Sequence, residues 1–280
     1  MTTRELTAST RDTADAADPS VWIGAARGAD IQGDRARAEH LRGLELVRQG
    51  KLVVSADAPM YAVEQYRRLA AVMYQAQTNR GIRTVMIASA LPAEGKSLTA
   101  TNLALTLSQS YRRRVLLVDA DLRRPTLHDT FEIPNLAGLS DWLKDEAAGR
   151  MPLVPITPYL MLLPGGRPDS DPMSSLASDR MKRMLAVAAE RFDWVIVDAP
   201  PVAMLPDGHL LSALVDTIAL VVAAGRTPAA TLQRVVEQLG RDRIIGVVLN
   251  RVTHRRHAYG RPSDYDHYRN GSDAADAQRV

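Results

Sequence analysis

The chain of 280 residues contains no cysteine, which excludes disulfide bonds and metal sites built from thiolates. This absence agrees with a reducing compartment, since disulfides persist mainly in oxidising ones. The most apolar stretch, residues 210–224, is interrupted by Ser212, Asp216 and Thr217, and it falls short of the ~20 apolar residues that span a bilayer. The first residues are polar and lack the apolar run of a signal peptide. We therefore expect a cytoplasmic protein without a membrane span of its own.

The chain also carries little net charge. Its 35 Lys and Arg residues nearly balance 32 Asp and Glu residues, which leaves a formal charge of +3 and a pI near 9.3. So small an excess gives no argument for a nucleic-acid partner, and we expect none. With 46% hydrophobic residues the chain can bury a core, which excludes wholesale disorder.

Short apolar runs alternate with helix-length segments from residue 84 onward. Near-continuous Val, Ile and Leu runs are typical of strands buried on both faces, with amphipathic helices between them. The pattern predicts an α/β fold with a mainly parallel sheet flanked by helices. The predicted strands are residues 84–89, 115–118, 159–163, 194–197, 217–222 and 244–249, and a helix over residues 60–77 precedes them.

The two ends of the chain differ from this middle part. Residues 1–55 are rich in Ala, Asp, Arg and Thr, and only residues 36–49 show helical spacing, so we expect a flexible polar leader. The apolar pattern stops after Val252, which predicts a mobile tail over residues 254–280. Residues 56–253 are then the folded domain.

A phosphate-binding loop is predicted at residues 89–97, SALPAEGKS, between the first strand and a helix. There, backbone N–H groups and a helix N-terminus can bind an anion. Gly95 lets the backbone approach phosphate, Lys96 can neutralise it, and Ser97 can offer its hydroxyl to Mg²⁺. The full motif has glycine where this chain has Ala90, and a bare Gly-Lys-Ser also occurs in ordinary loops. The predicted nucleotide contacts in the loop are Ala93, Glu94, Gly95, Lys96, Ser97 and Leu98.

Acidic residues follow two of the predicted strands. VLLVDAD places Asp119 and Asp121 on one side of a strand end, and WVIVDAP places Asp198 at the end of another. A single Asp in such a place is as often a helix cap or turn residue. Ligands of open α/β sheets bind outside the carboxyl ends of the strands, where these acids and the loop converge. Carboxylates beside phosphates favour a hard cation, so ATP and Mg²⁺ are the predicted cofactors.

The chain resembles the bacterial tyrosine kinases (BY-kinases) of capsule and exopolysaccharide synthesis over about residues 58–252. The strings VLLVDADLRRPTLHDTF and FDWVIVDAPPV carry the resemblance, together with GLSDWL and IIGVVLNRV. The resemblance implies a P-loop NTPase fold of the partition-ATPase-like branch. It also implies an ATP-dependent tyrosine autokinase that regulates polysaccharide synthesis and export.

The resemblance implies roles for individual residues as well. Lys96 and Ser97 would hold phosphate and Mg²⁺. Asp119 and Asp121 would supply Mg²⁺ contacts and a candidate base for the tyrosine hydroxyl, and Asp198 would be the Walker B acid. Catalysis is thereby assigned to Lys96, Asp119, Asp121 and Asp198, Mg²⁺ binding to Ser97, Asp121 and Asp198, and an adenine contact to Asn250, for which a turn residue is the alternative.

The chain departs from the family pattern in two places. The Glu-x-x-Arg-x-x-Arg signature, used in packing subunits into a ring, reads Glu64, Arg67 and Ala70 here, so we expect weaker ring formation. The family's tail usually carries a dense tyrosine cluster, whereas this tail carries few tyrosines. The predicted phosphate acceptors are Tyr259, Tyr265 and Tyr268, with incidental tyrosines in a mobile tail as the alternative.

The resemblance implies two partners: a second copy of the chain for autophosphorylation in trans, and a membrane-spanning chain-length regulator. This regulator would activate the kinase and recruit it to the inner membrane. Two other functions stay open. A septum-positioning or partition ATPase shares the fold but carries a signature lysine where this chain has Leu91. A regulator that binds nucleotide without catalysis would keep the same site residues.

Overall fold

A seven-stranded sheet forms the centre of the protein. The computed structural model describes residues 22–23, 31–55, 58–145 and 147–252. The strands are β1 (Thr84–Ser89), β2 (Val115–Asp119), β3 (Val154–Thr157), β4 (Leu160–Leu163), β5 (Trp194–Asp198), β6 (Thr217–Ala223) and β7 (Ile244–Asn250). Their order is β3-β4-β2-β5-β1-β6-β7, and every pair is parallel except β3 with β4. The predicted α/β fold with a mainly parallel sheet is confirmed.

Helices cover both faces of this sheet. They are α1 (Ile31–Gly43), α2 (Glu45–Arg48), α3 (Met60–Arg80), α4 (Lys96–Gln109), α5 (Leu127–Thr130), α6 (Leu139–Lys144), α7 (Pro172–Ala177), α8 (Asp179–Arg191), α9 (Asp207–Leu214) and α10 (Ala229–Leu239). None of the helices in the described residues is long and apolar enough to cross a membrane.

The central strands separate two apolar cores. Residues of β1, β2, β5 and β6 are buried throughout, and successive side chains of a strand point to opposite faces. Met86 and Leu116 therefore enter the core that α8 and α9 cover, while Val85 and Leu117 enter the core that α3 and α4 cover. This burial explains why the strands have apolar runs rather than an alternating pattern.

The two edge strands differ from the expectation. Strand β3 was not predicted, because its VPIT segment is short and contains a proline. Strand β7 was predicted as buried on both faces, but Val247 and Leu249 are 55% and 59% exposed. Strand β7 lies at the edge of the sheet, so part of its surface extends beyond the covering helices.

Residues 31–55, predicted to be part of a flexible leader, form helices that pack on the core. Leu44 and Leu52 are fully buried beside α4. The Asn102 side chain in α4 accepts the Val53 N–H at 2.9 Å and donates to a second backbone group of the same segment. The packed part of the chain thus begins before residue 56. The apolar residues with helical spacing in residues 36–49 are the ones that contact the core.

Two other predictions concern the ring-packing signature on α3 and the tyrosines of the tail. Glu64 of α3 lies 4.0 Å from Arg67 and both are partly exposed, whereas Ala70 is fully buried in the core. Position 70 therefore faces the core, where alanine packs well; weaker ring formation stays a prediction. The tail over residues 254–280 lies outside the described residues, and with it Tyr259, Tyr265 and Tyr268.

We expect Leu44→Ala to lower the free energy of unfolding by about 2–5 kcal/mol, because it leaves a cavity between residues 31–55 and α4. Leu136 is 77% exposed, and Leu136→Ala serves as the matched control with a change within about 0.5 kcal/mol. Urea denaturation measures both. Equal stabilities for the two variants would mean that residues 31–55 do not belong to the cooperative fold.

Candidate active site

The loop between β1 and α4 lies at the carboxyl edge of the sheet, as its position in the sequence predicts. Ala93 and Gly95 adopt left-handed backbone conformations, with φ of 60° and 94°. Turns of this kind can direct successive N–H groups to one side and so form an anion-binding concavity. Helix α4 begins directly afterwards at Lys96, which adds the favourable end of its dipole.

The Glu94 side chain shapes this loop from within. Its Oε2 accepts the N–H of Leu91 at 2.9 Å, and its Oε1 accepts the hydroxyl of Thr227, which lies between β6 and α10. The side chain is buried inside the protein. Only the backbone of Glu94 is therefore available to contact a nucleotide. Thr227 was missed because no motif marks a contact this distant in the sequence.

Asn250, the last residue of β7, bonds to the same loop. Its Nδ2 donates to the carbonyl of Glu94 at 2.8 Å. A Cβ atom at position 95 would lie 2.0 Å from this Nδ2, so the Asn250 contact requires glycine there. The structure therefore gives Asn250 a loop contact, and the predicted adenine contact stays a prediction.

Lys96 and Asp198 form a buried ion pair beneath the loop. The Lys96 Nζ donates to Asp198 Oδ1 at 2.7 Å, and their side chains are 8% and 0% exposed. The same Nζ lies 3.3 Å from the Ser97 hydroxyl. The second oxygen of Asp198, Oδ2, is buried and has no hydrogen-bond partner among the described residues. An orphaned buried oxygen of this kind points to a ligand.

Asp119 lies beside Asp198 on the neighbouring strand and is equally buried. Its Oδ2 accepts the N–H groups of Thr126 and Leu127, both at 2.9 Å, where α5 begins. Burial, and after it the negative charge of Asp198, raise the pKa of Asp119 to about 7, against the opposing effect of those N–H groups and of Lys96. Asp119 therefore tends to keep its proton.

Asp121 reaches further out than Asp119. Its side chain is half-buried, and its Oδ1 accepts the N–H of Arg124 at 3.2 Å. Burial raises the pKa of Asp121, and the charge of Lys96 partly opposes this. A half-buried carboxylate is accessible to a substrate in a way that Asp119 is not.

The loop after β4 closes the acidic site from one side. A Cβ atom at Gly165 would lie 2.7 Å from Pro125 and 3.4 Å from the carboxyl carbon of Asp119. Only glycine allows this close approach. The signal for Gly165 in the sequence is the PGG string directly after a strand, which is typical of a turn.

The oxygen donors at this edge fit a nucleotide-bound Mg²⁺. Ser97, Asp121 and the orphaned Oδ2 of Asp198 supply the hard oxygens that Mg²⁺ prefers. In the part of the chain that the structure describes, no group of three or more His, Cys, Asp or Glu residues is arranged to hold a metal alone. Mg²⁺ at such sites usually needs only one or two carboxylates together with phosphate and water, so the donor set is sufficient.

Known proteins resemble the chain over most of its length. Residues 85–267 match the CobQ/CobB/MinD/ParA nucleotide binding domain. Tyrosine-protein kinase YwqD of Bacillus subtilis is 33% identical over 223 residues, which are 79% of this chain and 92% of that protein. The succinoglycan biosynthesis transport protein ExoP of Rhizobium meliloti is 33% identical over 225 residues, 78% of this chain and 28% of that protein.

A solved structure agrees with these relatives. The kinase domain of the Escherichia coli tyrosine kinase ETK has a TM-score of 0.66 at 29% identity and covers 74% of this chain and 84% of that one. The matched domain contains the phosphate loop and the acids Asp119, Asp121 and Asp198. The chain therefore belongs to the bacterial tyrosine kinase (BY-kinase) family, within the CobQ/CobB/MinD/ParA group of nucleotide-binding domains.

Proposed function

We propose that the protein is an ATP-dependent tyrosine autokinase that regulates the synthesis and export of a capsular polysaccharide or exopolysaccharide. The observation that carries this proposal is the buried pair of Lys96 and Asp198 beneath a phosphate loop, with Asp119 and Asp121 beside it. The relatives support it: YwqD is named a tyrosine-protein kinase, and ExoP a succinoglycan biosynthesis transport protein.

Phosphoryl transfer needs positioning and charge stabilisation more than a protein nucleophile. The loop backbone and Lys96 would bind the phosphates of ATP, with Lys96 held in place by Asp198. Ser97, Asp121 and Asp198 would hold Mg²⁺, which would neutralise the negative charge that develops on the phosphate oxygens.

Asp119 and Asp121 have different roles in this proposal. Asp119 is buried, bonded to the first N–H groups of α5, and inaccessible to an incoming tyrosine. Asp121 is half-buried at the same edge, so one of its oxygens would remain accessible to take the proton of the tyrosine hydroxyl. We assign the base to Asp121 and the placement of α5 to Asp119.

A partition or septum-positioning ATPase is the second candidate. It would use a lysine at the start of the loop to reach across a dimer. In this chain the position holds Leu91, whose N–H bonds to Glu94 and whose side chain packs against the core. This packing favours the kinase.

Two partners belong to the proposal. One is a second copy of the chain, which would receive phosphate on its tail. The other is a membrane-spanning chain-length regulator that recruits the kinase to the inner membrane and activates it. The cytoplasmic segment of that regulator, added to the purified protein, should raise autophosphorylation.

Lys96→Met is expected to lower the autophosphorylation rate by ~100-fold or more, since it removes a preorganised cation aimed at the transferring phosphate. Phosphotyrosine formed with Mg-ATP is the measurement. Lys182→Met is the control, because Lys182 is an exposed lysine on α8. Undiminished labelling of the Lys96→Met protein would place the active site elsewhere.

Changing Tyr259, Tyr265 and Tyr268 together to Phe should remove most of the phosphate incorporated with Mg-ATP. Each phosphate adds about −1.5 to −2 charges to a tail that also contains several arginines, so modification would reverse its local charge. Mass spectrometry locates the phosphate, with Tyr61→Phe/Tyr74→Phe as the control, because both tyrosines are exposed on α3. Phosphate on Tyr61, Tyr66, Tyr74 or Tyr111 instead would exclude the tail as the main acceptor.

The raised pKa of Asp119 predicts a pH-dependent stability. The folded protein keeps this proton up to about pH 7, whereas an unfolded Asp loses it near pH 4, about its usual pKa. Between these values the folded state binds more protons, so the contribution of Asp119 to stability is largest at low pH and is lost as the pH rises through 7.

Asp119→Asn removes this titration and keeps an oxygen for the N–H groups of α5. In urea denaturation without nucleotide, the stability of the wild type relative to Asp119→Asn should fall between about pH 4 and about pH 7 and then level off. A difference that is constant with pH would mean that Asp119 ionises normally in the fold.

A further inference from the structure

An ion pair joins the two loops that carry the Mg²⁺ acids. Arg123 donates from Nε to Asp207 Oδ2 at 2.6 Å and from Nη2 to Oδ1 at 3.1 Å. Arg123 lies two residues after Asp121, while Asp207 begins α9, which follows the loop after Asp198. The contact thus connects segments that are far apart in the sequence.

The geometry of this pair is specific. Asp207 is 1% exposed and Arg123 is 39% exposed, so the carboxylate is fixed inside the protein and the guanidinium reaches it from the surface. Two parallel N–H···O bonds define both distance and orientation, which a single lysine contact does not. Removal of Arg123 would leave the buried carboxylate of Asp207 without its cation, so the contact is strongly maintained.

The Asp207 side of the pair is anchored to the phosphate loop. A Cβ atom at Gly208 would lie 2.4 Å from Val202, so α9 packs tightly on the loop that follows Asp198. The Val202 N–H donates to the carbonyl of Ser89 at 2.9 Å, where the phosphate loop begins. Asp207 is therefore a fixed point relative to Asp198 and to this loop.

Arg123 lies in the same loop after β2 as Asp121. The carboxylate of Asp121 accepts the N–H of Arg124, a bond within its own loop, which does not relate Asp121 to the rest of the site. The bond from Ala120 N–H to the Asp198 carbonyl at 2.9 Å fixes the loop where it leaves β2. The bond from Arg123 to Asp207 fixes it again on the other side of Asp121.

We propose that Arg123 and Asp207 are positioning residues that hold Asp121 at a set distance from Asp198, so that both acids reach the same Mg²⁺-nucleotide. The proposal rests on the proposed function, which assigns Asp121 and Asp198 to Mg²⁺. Neither residue of the pair needs to touch a substrate. A misplacement of about 1 Å at a catalytic site can lower the rate by ~100-fold. A contact that fixes the position of Asp121 can therefore affect the rate without touching a substrate.

Two variants test the pair. Arg123→Lys keeps the positive charge and loses the two-bond geometry, whereas Asp207→Asn keeps the shape and loses the charge. The control is Arg124→Lys, which changes an exposed arginine at the next position. Mn²⁺ binding in the presence of ADP, followed by electron paramagnetic resonance, reports the metal site without any kinase activity.

We expect both variants to bind Mn²⁺ with ADP about 10-fold more weakly and to lower kcat about 10-fold or more. ADP affinity without metal should stay within about twofold, because the phosphate loop is unchanged. The double variant should be no worse than the more affected single one, since both changes break one contact. Arg124→Lys should match the wild type in every measurement.

Wild-type Mn²⁺ affinity in folded Arg123→Lys protein would overturn the proposal. Equal weakening of Mn²⁺ and metal-free ADP binding would also overturn it, because a general loosening of the fold affects both. Should Asp207→Asn fail to fold, Arg123→Lys still decides the question. If the wild type forms no phosphotyrosine, the proposed function fails, whereas the Mn²⁺ measurement continues to test the pair.

Discussion

The buried ion pair of Lys96 and Asp198 is the interaction on which the site depends. Lys96 begins α4, and Asp198 ends β5, so the pair connects the phosphate loop to the middle of the sheet. A lysine buried to this degree needs a carboxylate, and a carboxylate buried to this degree needs a cation. Each therefore fixes the position of the other. Burial and the nearby charge of Asp198 then raise the pKa of the neighbouring Asp119 to about 7.

The parallel sheet brings these groups together. The central strands all end at the same edge, where Asp119 and Asp198 are direct neighbours in the register of β2 and β5. The segments that follow are then linked across this edge by side chains: Glu94 to Thr227, Asn250 to the phosphate loop, and Arg123 to Asp207. The site is thus a set of loops, each held by a neighbour.

The sequence predicts the parts of this arrangement that depend on local pattern. Apolar runs locate the central strands, and the strand-loop-helix context locates the phosphate loop even with Ala90 in place of glycine. The acids are recognisable because they end those runs. The side-chain links across the edge could not be predicted, since Glu94 and Thr227 are ordinary residues in sequence and meet only in the folded chain. The prediction of a flexible leader is wrong for residues 31–55 for a similar reason. The few apolar residues of this segment are buried only because α4 packs against them in the folded chain.

The contact of Asn102 with residues 51–53 has a consequence for shortened versions of the protein. Asn102 is buried in α4, the helix that begins with Lys96. Its side chain bonds to the Val53 N–H and the Lys51 carbonyl. A chain trimmed to begin at residue 56 would keep every motif of the kinase. It would nevertheless remove the Val53 and Lys51 partners of this buried side chain and open the apolar side of α4 to water, so the motifs alone do not delimit the folding unit.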